Sequence, residues 1–204
     1  MKRILLLECS PHRQEASGSQ MARQLIARRW PSAEVIERDL AGEPLPPVSA
    51  EYASALTGSA PFDDPAFACS EVLIAELEAS DCLIIVTPMH NFNVPAALKL
   101  WIDYVLRIHR SFTTSAQGKV GLLQDRPTLV LVSAGGFYHG EQARQSDFLS
   151  AYLRHVLSTL GITQVEFVHQ QGMALGAESV QAALNAVLPQ LEKTTNFFSS
   201  PPRR

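Results

Sequence analysis

Paired cysteines, charge runs and membrane-length apolar spans are all missing from this 204-residue chain, and each absence removes a class of function. There are three cysteines, Cys9, Cys69 and Cys82, an odd number with no CxxC spacing, which excludes a disulfide framework and a zinc site of the usual form. Lys and Arg number 17 against 20 Asp and Glu, a net charge of -3, and the charges are scattered. Nucleic acid and acidic membrane surfaces are therefore excluded as partners. Met1-Lys2-Arg3 leads straight into the apolar run Ile4–Leu7, without a small-residue cleavage site, and no stretch is long enough for a bilayer, so the expectation is a cytoplasmic protein. Also absent are GxSxG, GxxxxGK[ST], HExxH and a post-strand GxGxxG, which takes away the common hydrolase, P-loop, zinc-protease and dinucleotide-domain readings.

What is present is 46% hydrophobic residues, enough for one domain over 1–204 with a sizeable core. Short β-branched runs alternate with amphipathic stretches, the pattern of βαβ units on a parallel sheet. Strands are expected over 3–8, 33–38, 82–87, 128–133 and 164–169. Ile4–Leu7, Leu83–Val86 and Leu129–Val132 are apolar at every position, as strands covered on both faces must be. Helices are expected over 19–29, 64–79, 95–109, 142–160 and 178–198, the fourth stopped by Gly161. Five strands and five helices favour the α/β flavodoxin-like three-layer sandwich, with a five-stranded parallel sheet of order 2-1-3-4-5, over the six-stranded Rossmann order. The proline-rich stretch 39–65 is too long for an idle connection. It is a cover for the sheet edge, or else a lid over a ligand or a partner surface, with room for a short helix at 51–56. The tail 199–204 is expected to fray.

Ligands of such sheets sit beyond the carboxyl ends of the strands where the order reverses, so the loops after strands 1, 3 and 4 carry the chemistry. The first loop holds Ser10, Ser17, Gly18 and Ser19. Ser17 and Gln20 have capping-box spacing, and the helix end, the hydroxyls and a glycine backbone suit a phosphate without a lysine. A cysteine-phosphatase loop starting at Cys9 would need arginine where Glu15 stands; Arg13 comes two places early, so that reading is rejected. The second loop holds Met89, His90, Asn91 and Phe92, a thioether, two polar side chains and an aromatic ring that suit a flat, partly polar heterocycle. Asn93 is placed to cap the next helix and Pro95 to sit in its first turn. The third loop, Ser133-Ala134-Gly135-Gly136, implies close backbone approach to a ligand edge or a neighbouring loop. Together the loops offer a phosphate cradle, a ring platform and a glycine edge, the layout of a mononucleotide site.

At these residues the chain resembles the FMN-dependent azoreductases, relatives of the NAD(P)H quinone reductases. The carriers are Ser10 with Ser17-Gly18-Ser19, the block Pro88–Phe92 with Pro95, Leu98-Lys99 and Trp101-Ile102-Asp103, Phe112-Thr113 before Gly118 and Gly121-Leu122-Leu123, and Ser133–Gly136. The resemblance implies that Ser10 and Ser17 to Ser19 hold the ribityl phosphate of FMN, and that Met89 to Phe92 and Ser133 to Gly136 bracket the isoalloxazine. It implies electron transfer from NADH or NADPH to quinones or azo compounds, in turn at one open flavin face, without a catalytic side chain. It also implies a homodimer, to which the stripe Leu98, Trp101, Ile102, Val105 and Leu106 is a contributor if it is not core. Phe112 is the expected aromatic contact for the acceptor. His90 replaces the usual tyrosine and Ala134 a common arginine, so the surroundings of the ring differ from the family pattern. The competing reading is a flavodoxin-type FMN electron carrier without a small-molecule substrate, against which stand the modest net charge and the long 39–65 segment.

Overall fold

The structure is a computed structural model, and it describes residues 1–58 and 60–198, with the side chains of 195–197 left aside. The expected tail at 199–204 lies outside the described residues. The elements run β1 (Arg3–Glu8), α1 (Ser17–Arg29), β2 (Glu34–Asp39), α2 (Ala50–Thr57), α3 (Ala68–Ala79), β3 (Cys82–Pro88), α4 (Ala96–Val105), β4 (Phe112–Ser115), β5 (Gly118–Gly121), β6 (Thr128–Ser133), α5 (Leu149–Leu160), β7 (Val165–Gln170) and α6 (Ala177–Phe197).

Five parallel strands form the central sheet in the order β2-β1-β3-β6-β7, which is 2-1-3-4-5 once the separate β4-β5 hairpin is left out. The three all-apolar strands are the three inner ones, and Ile4–Leu7, Leu83–Ile85 and Leu129–Val132 are fully buried. Alternate residues of each strand feed two cores. Leu5, Leu7, Leu83, Ile85, Val130 and Val132 pack against α3, α4 and α5, while Ile4, Leu6, Ile84, Leu129 and Leu131 pack against α1 and α6. Each such large side chain contributes about 1.5–3 kcal/mol by leaving water, which makes the sheet the rigid base of the molecule. Register then aligns the strand ends: Glu8 pairs with Val86, Pro88 with Ser133, and Ser133 with Gln170. The loops after β1, β3 and β6 consequently emerge side by side.

Several boundaries differ from expectation for local reasons. The helix expected from 64 begins as a 3-10 turn, Pro65–Phe67, with Asp64 capping it by accepting from the Ala66 amide at 2.9 Å. α4 ends at Val105 instead of running to 109. There the chain turns so that Arg107 is buried against the Ser70 hydroxyl and the Glu71 carboxylate, which bonds it at 2.6 Å. α5 begins at Leu149, not 142, where Asp147 accepts from the amides of Leu149 and Ser150 at 3.0 and 2.8 Å. It stops as expected at Gly161, whose φ of 101° is the left-handed helix end that glycine takes without strain. The stripe Leu98, Trp101, Ile102 and Val105 is core within the chain, at 0–1% exposure.

The 39–65 segment packs down over α4. Asp39 ties its start, accepting from Arg13 Nε at 2.6 Å and from the Gly42 amide at 2.7 Å. The Tyr104 hydroxyl donates to the Pro46 carbonyl at 3.0 Å, and Ser49 caps α2. Tyr52 of α2 is buried edge-on between Phe67 and Tyr104.

Candidate FMN site

At the carboxyl end of the sheet the three loops enclose a cavity of about 520 Å³, within the range of small-molecule and cofactor sites. Its lining includes Ser10, Ser17, Met89, His90, Ser133, Ala134 and Gly135 from the expected set. His12, Glu15, Thr87, Pro88 and Met173 also line it and were not expected.

The first loop leaves β1 through a turn in which the Arg13 amide donates to the Ser10 carbonyl at 2.9 Å and the His12 amide to Ser10 Oγ at 3.2 Å. The expected capping box is not formed. Ala16, in extended conformation, is the residue before the helix; Ser17 is its first residue and has no capping bond, and Gln20 reaches back to the Glu15 carbonyl instead. An alanine cap leaves the helix end less satisfied than a serine cap would. The first intrahelical bond runs from the Gln20 amide to the Ala16 carbonyl. Among the described residues the amides of Ser17, Gly18 and Ser19 have no acceptor. Three unpaired N–H groups at the positive end of a helix dipole are an anion cradle. Gly18 is pressed against the sheet, since a Cβ there would lie 2.9 Å from Val86 Cγ1.

Ser19 contributes only its amide to this cradle. Its hydroxyl is buried and donates to Glu8, whose other carboxylate oxygen accepts from the Ser10 amide at 3.1 Å. Burial raises the Glu8 pKa above its ordinary value, and the bonds from Ser19 and Ser10 only partly oppose the effect. Burial likewise pushes the Cys9 thiol well up, so Cys9 is an inert packed thiol.

The second loop is a tight turn closed by paired bonds between His90 and Asn93, at 2.9 and 3.0 Å. Asn93 does not cap α4. Its Oδ1 accepts from the Val94 amide at 2.8 Å, and Pro95 occupies the cap position with Ala96 first in the helix. Asn91 and Phe92 hold the left-handed region, with φ of 48° and 72°, at the tip of the turn; both are exposed and outside the cavity lining. A non-glycine pair in this region marks backbone held by its surroundings. Here the Phe92 carbonyl accepts from the Phe148 amide at 3.2 Å. Met89 is anchored by its amide donating to the Ser133 carbonyl at 2.8 Å, which ties the second loop to the third.

In the third loop the Ala134 amide donates to the Gln170 carbonyl and the Met173 amide to the Ala134 carbonyl, at 2.8 and 3.0 Å. The amides of Gly135 and Gly136 have no acceptor among the described residues, so their donors remain for a ligand edge. Phe112 is not brought to the cavity. It is 7% exposed, it starts the β4-β5 hairpin, and the Lys119 ammonium lies 4.9 Å over its ring. Sequence reasoning missed Gln170, Glu8 and Met173. The available signals were a carboxylate, Glu8, directly after the apolar run of β1 and an amide pair, Gln170-Gln171, at and just past the end of β7.

The arrangement fits FMN on observations of this chain alone. A helix end with free amides and no cationic side chain lies at one end of the cavity. A thioether, proline and glycine edge of Met89, Pro88 and Gly135 also lines it, and the Gly135 amide is unpaired among the described residues. No lysine or arginine lines it, and the titratable groups that do are His12, Glu15 and His90.

A family model described as flavodoxin-like fold matches residues 2–195. A Pseudomonas fluorescens protein named FMN-dependent NADH:quinone oxidoreductase 4 is 56% identical over 188 residues, 91% of each chain. One from Burkholderia lata, FMN-dependent NADH:quinone oxidoreductase 5, is 50% identical over 198 residues, 95% of each. Among solved structures, an azoreductase from Bacillus anthracis superposes with a TM-score of 0.81 at 22% identity, over 96% of this chain and 99% of that one. An FMN-dependent NADH-azoreductase of the same species, solved in complex with FMN, has a TM-score of 0.76 at 20% identity, over 96% and 100%. At those identities the superpositions speak for the fold. The sequence relatives go further, and the chain belongs to the flavodoxin-like family and, within it, to the FMN-dependent NADH:quinone oxidoreductases.

Proposed function

We propose that this chain, as one domain over 1–204, binds FMN in the 520 Å³ cavity and passes electrons from NADH to quinones or azo compounds. The observation that carries the reading is that an unsatisfied α1 end at Ser17 lines the same cavity as Met89 and Gly135, whose amide is also unpaired. The helix-end amides and the Ser10 hydroxyl, whose oxygen accepts from the His12 amide and whose proton is left to donate, would hold the phosphate. Pro88, Met89 and His90 would support one side of the ring, and the Gly135 and Gly136 amides would meet its polar edge. When bound, FMN supplies the hydride and electron chemistry, which is why no nucleophile–base pair is needed. The chain's own tasks are to orient the ring, donate hydrogen bonds where negative charge develops, and leave one face open for donor and acceptor in turn.

Preference for NADH follows from where the positive charge is spent. Arg13, Arg23, Arg38, Arg107 and Arg110 are the arginines that could meet a 2′-phosphate. Each is engaged by a carboxylate, of Asp39, Glu37, Glu76, Glu71, and Glu71 with Glu78, respectively. None lines the cavity, whose rim carries Glu15.

The reading includes a homodimer. Beside the cofactor cavity, and sharing Pro11 and His90 with it, runs an apolar groove lined by Leu40, Pro44, Leu45, Pro95, Ala97 and Leu100. A second copy seated there would complete one wall of the site. Three free thiols suit a reducing, cytoplasmic setting, and among the described residues no helix is long and apolar enough to cross a membrane.

The test is direct. Purified protein should show the two-band visible spectrum of oxidised flavin or be reconstituted by FMN. Anaerobic NADH should bleach it, and a quinone or azo dye should restore the colour. A colourless protein that cannot be reconstituted overturns the reading; bleaching only by a protein reductase would favour the carrier.

A further inference from the structure

One buried side chain joins two of the three loops without touching the cavity. Gln170, the last residue of β7, is 0% exposed. Its Oε1 accepts from the Ser133 hydroxyl at 2.6 Å and lies 3.3 Å from the Ser17 hydroxyl, while its Nε2 lies 3.0 Å from the Met21 sulfur. Its carbonyl holds the next residue of the third loop, accepting from the Ala134 amide at 2.8 Å. The direction of the amide is dictated by chemistry. A thioether has no proton to give, so the NH2 group must face Met21 and the carbonyl oxygen must face the serines. An oxygen in that position accepts only. Ser133 therefore spends its proton on Gln170 and shows lone pairs to the cavity it lines.

We propose that Gln170 is a positioning residue for the flavin. By taking the Ser133 proton it makes that hydroxyl an acceptor toward the cavity, matched to a hydrogen-bond donor of the cofactor, and by reaching Ser17 it fixes this acceptor relative to the phosphate cradle. The donor is a hydroxyl of the polyol chain or the ring N3–H, since phosphate oxygens have no proton to offer. The inference rests on the FMN reading of the same cavity. Gln171 braces the far end of the loop in the same manner, its Oε1 accepting from the Tyr138 and His139 amides at 2.8 and 2.7 Å, so the end of β7 sets the shape of the whole third loop.

The experiment compares binding of FMN, riboflavin and lumiflavin, by flavin fluorescence quenching, to the full-length wild type, Gln170→Leu and Gln170→Glu. Thermal unfolding of each apoprotein is followed in parallel. In Gln170→Leu the Ser133 proton is free to turn into the cavity, and FMN and riboflavin should both bind about tenfold more weakly, the worth of one mismatched hydrogen bond. Lumiflavin, which keeps N3–H and lacks the polyol, falls equally if N3–H is the donor and is unaffected if the polyol is. Gln170→Glu keeps an acceptor for both serines and should return riboflavin to within about threefold of wild type. FMN should remain weakened by the added negative charge near the phosphate. A Gln170→Leu protein with wild-type riboflavin affinity overturns the proposal, as does a loss confined to FMN or a failure of Gln170→Glu to rescue riboflavin. If Gln170→Leu does not fold, Ser133→Ala takes its place: riboflavin binding should fall as above, and unchanged binding overturns the proposal. A wild type that binds no flavin overturns the FMN reading itself, an outcome separate from these.

Discussion

Replacing Gly18 with alanine sets two opposing effects against each other at the place where the cofactor phosphate is proposed to sit. Gly18 is the second residue of α1 and is buried, and its φ is not in the left-handed region. Alanine is therefore allowed by the backbone and favours the helix by up to about 1 kcal/mol over glycine. Against this, the new methyl would sit 2.9 Å from Val86 Cγ1 and 3.4 Å from both Gln170 Oε1 and Ser133 Oγ. Val86 is 2% exposed and packed in the α1-side core, so relief comes from shifting the start of the helix by several tenths of an ångström. Overpacking of this kind costs about 1–3 kcal/mol. The net loss is about 0–3 kcal/mol, a fall in Tm of at most about 12 °C for a chain of this size. The same shift moves all three cradle amides. Hydrogen bonds to a charged group are worth about 1.5–3 kcal/mol each, so partial loss of one raises the Kd for FMN by about tenfold or more. Riboflavin, without the phosphate, should lose distinctly less. The assay is flavin fluorescence quenching alongside thermal unfolding of the apoprotein. A Gly18→Ala protein with an FMN affinity within twofold of wild type, or with equal losses for FMN and riboflavin, refutes the cradle assignment.

Three further outcomes are expected. Glu8 has its pKa raised by burial, so the folded chain binds that proton more tightly than the unfolded chain. Its contribution therefore falls as pH rises from about 4.5 through the folded value, and the Tm of Glu8→Gln relative to wild type should climb over that window. Parallel curves would contradict this. His169 is held neutral, with its pKa lowered to about 4 by burial and by His139 stacked 4.0 Å away, and its Nδ1 is bonded to the Tyr138 hydroxyl at 2.6 Å. Stability should be lost as pH falls from about 6.5 toward 4. An imidazole titrating near 6.5 by NMR would be the opposing result. Gly121→Ala would put a methyl 2.0 Å from the Gly161 nitrogen, backbone against backbone, and should lower the Tm by at least 8 °C, corresponding to a loss above about 3 kcal/mol. A Tm within 2 °C of wild type would show that the hairpin and α5 separate without cost.

The sheet was legible because burial on both faces leaves a strong trace: three runs without a polar residue became the three inner strands, each within a residue of expectation. The short helix inside the proline-rich segment was legible as well, at 50–57. The β4-β5 hairpin was not. Its strands are four residues long and mostly exposed, and it is held to the domain by the approach of Gly121 to Gly161, which leaves no hydrophobic pattern. In the site, the loops after β1, β3 and β6 do meet at one cavity, while several side-chain directions differ from expectation. Ser17 has the spacing of a cap yet sits inside the helix, and Ser19 turns to Glu8 because a buried carboxylate 11 residues away outcompetes its own helix end. Such pairings depend on which strand end faces which helix end, and sequence spacing carries no record of that.

The Tyr104 hydroxyl that clasps the Pro46 carbonyl, together with the Asp39 ties at the start of the same segment, has a kinetic consequence. With Asp39 tied to Arg13 and Pro46 tied to Tyr104 of α4, the first part of the segment is expected to stand as a fixed parapet that does not swing across the mouth of the cavity. On the proposed reading, turnover is then not expected to be timed by the opening of this segment. On the same reading, acceptors are expected to sort by stacking and electron affinity more than by outline, which rates across quinones and azo dyes of different shape would check.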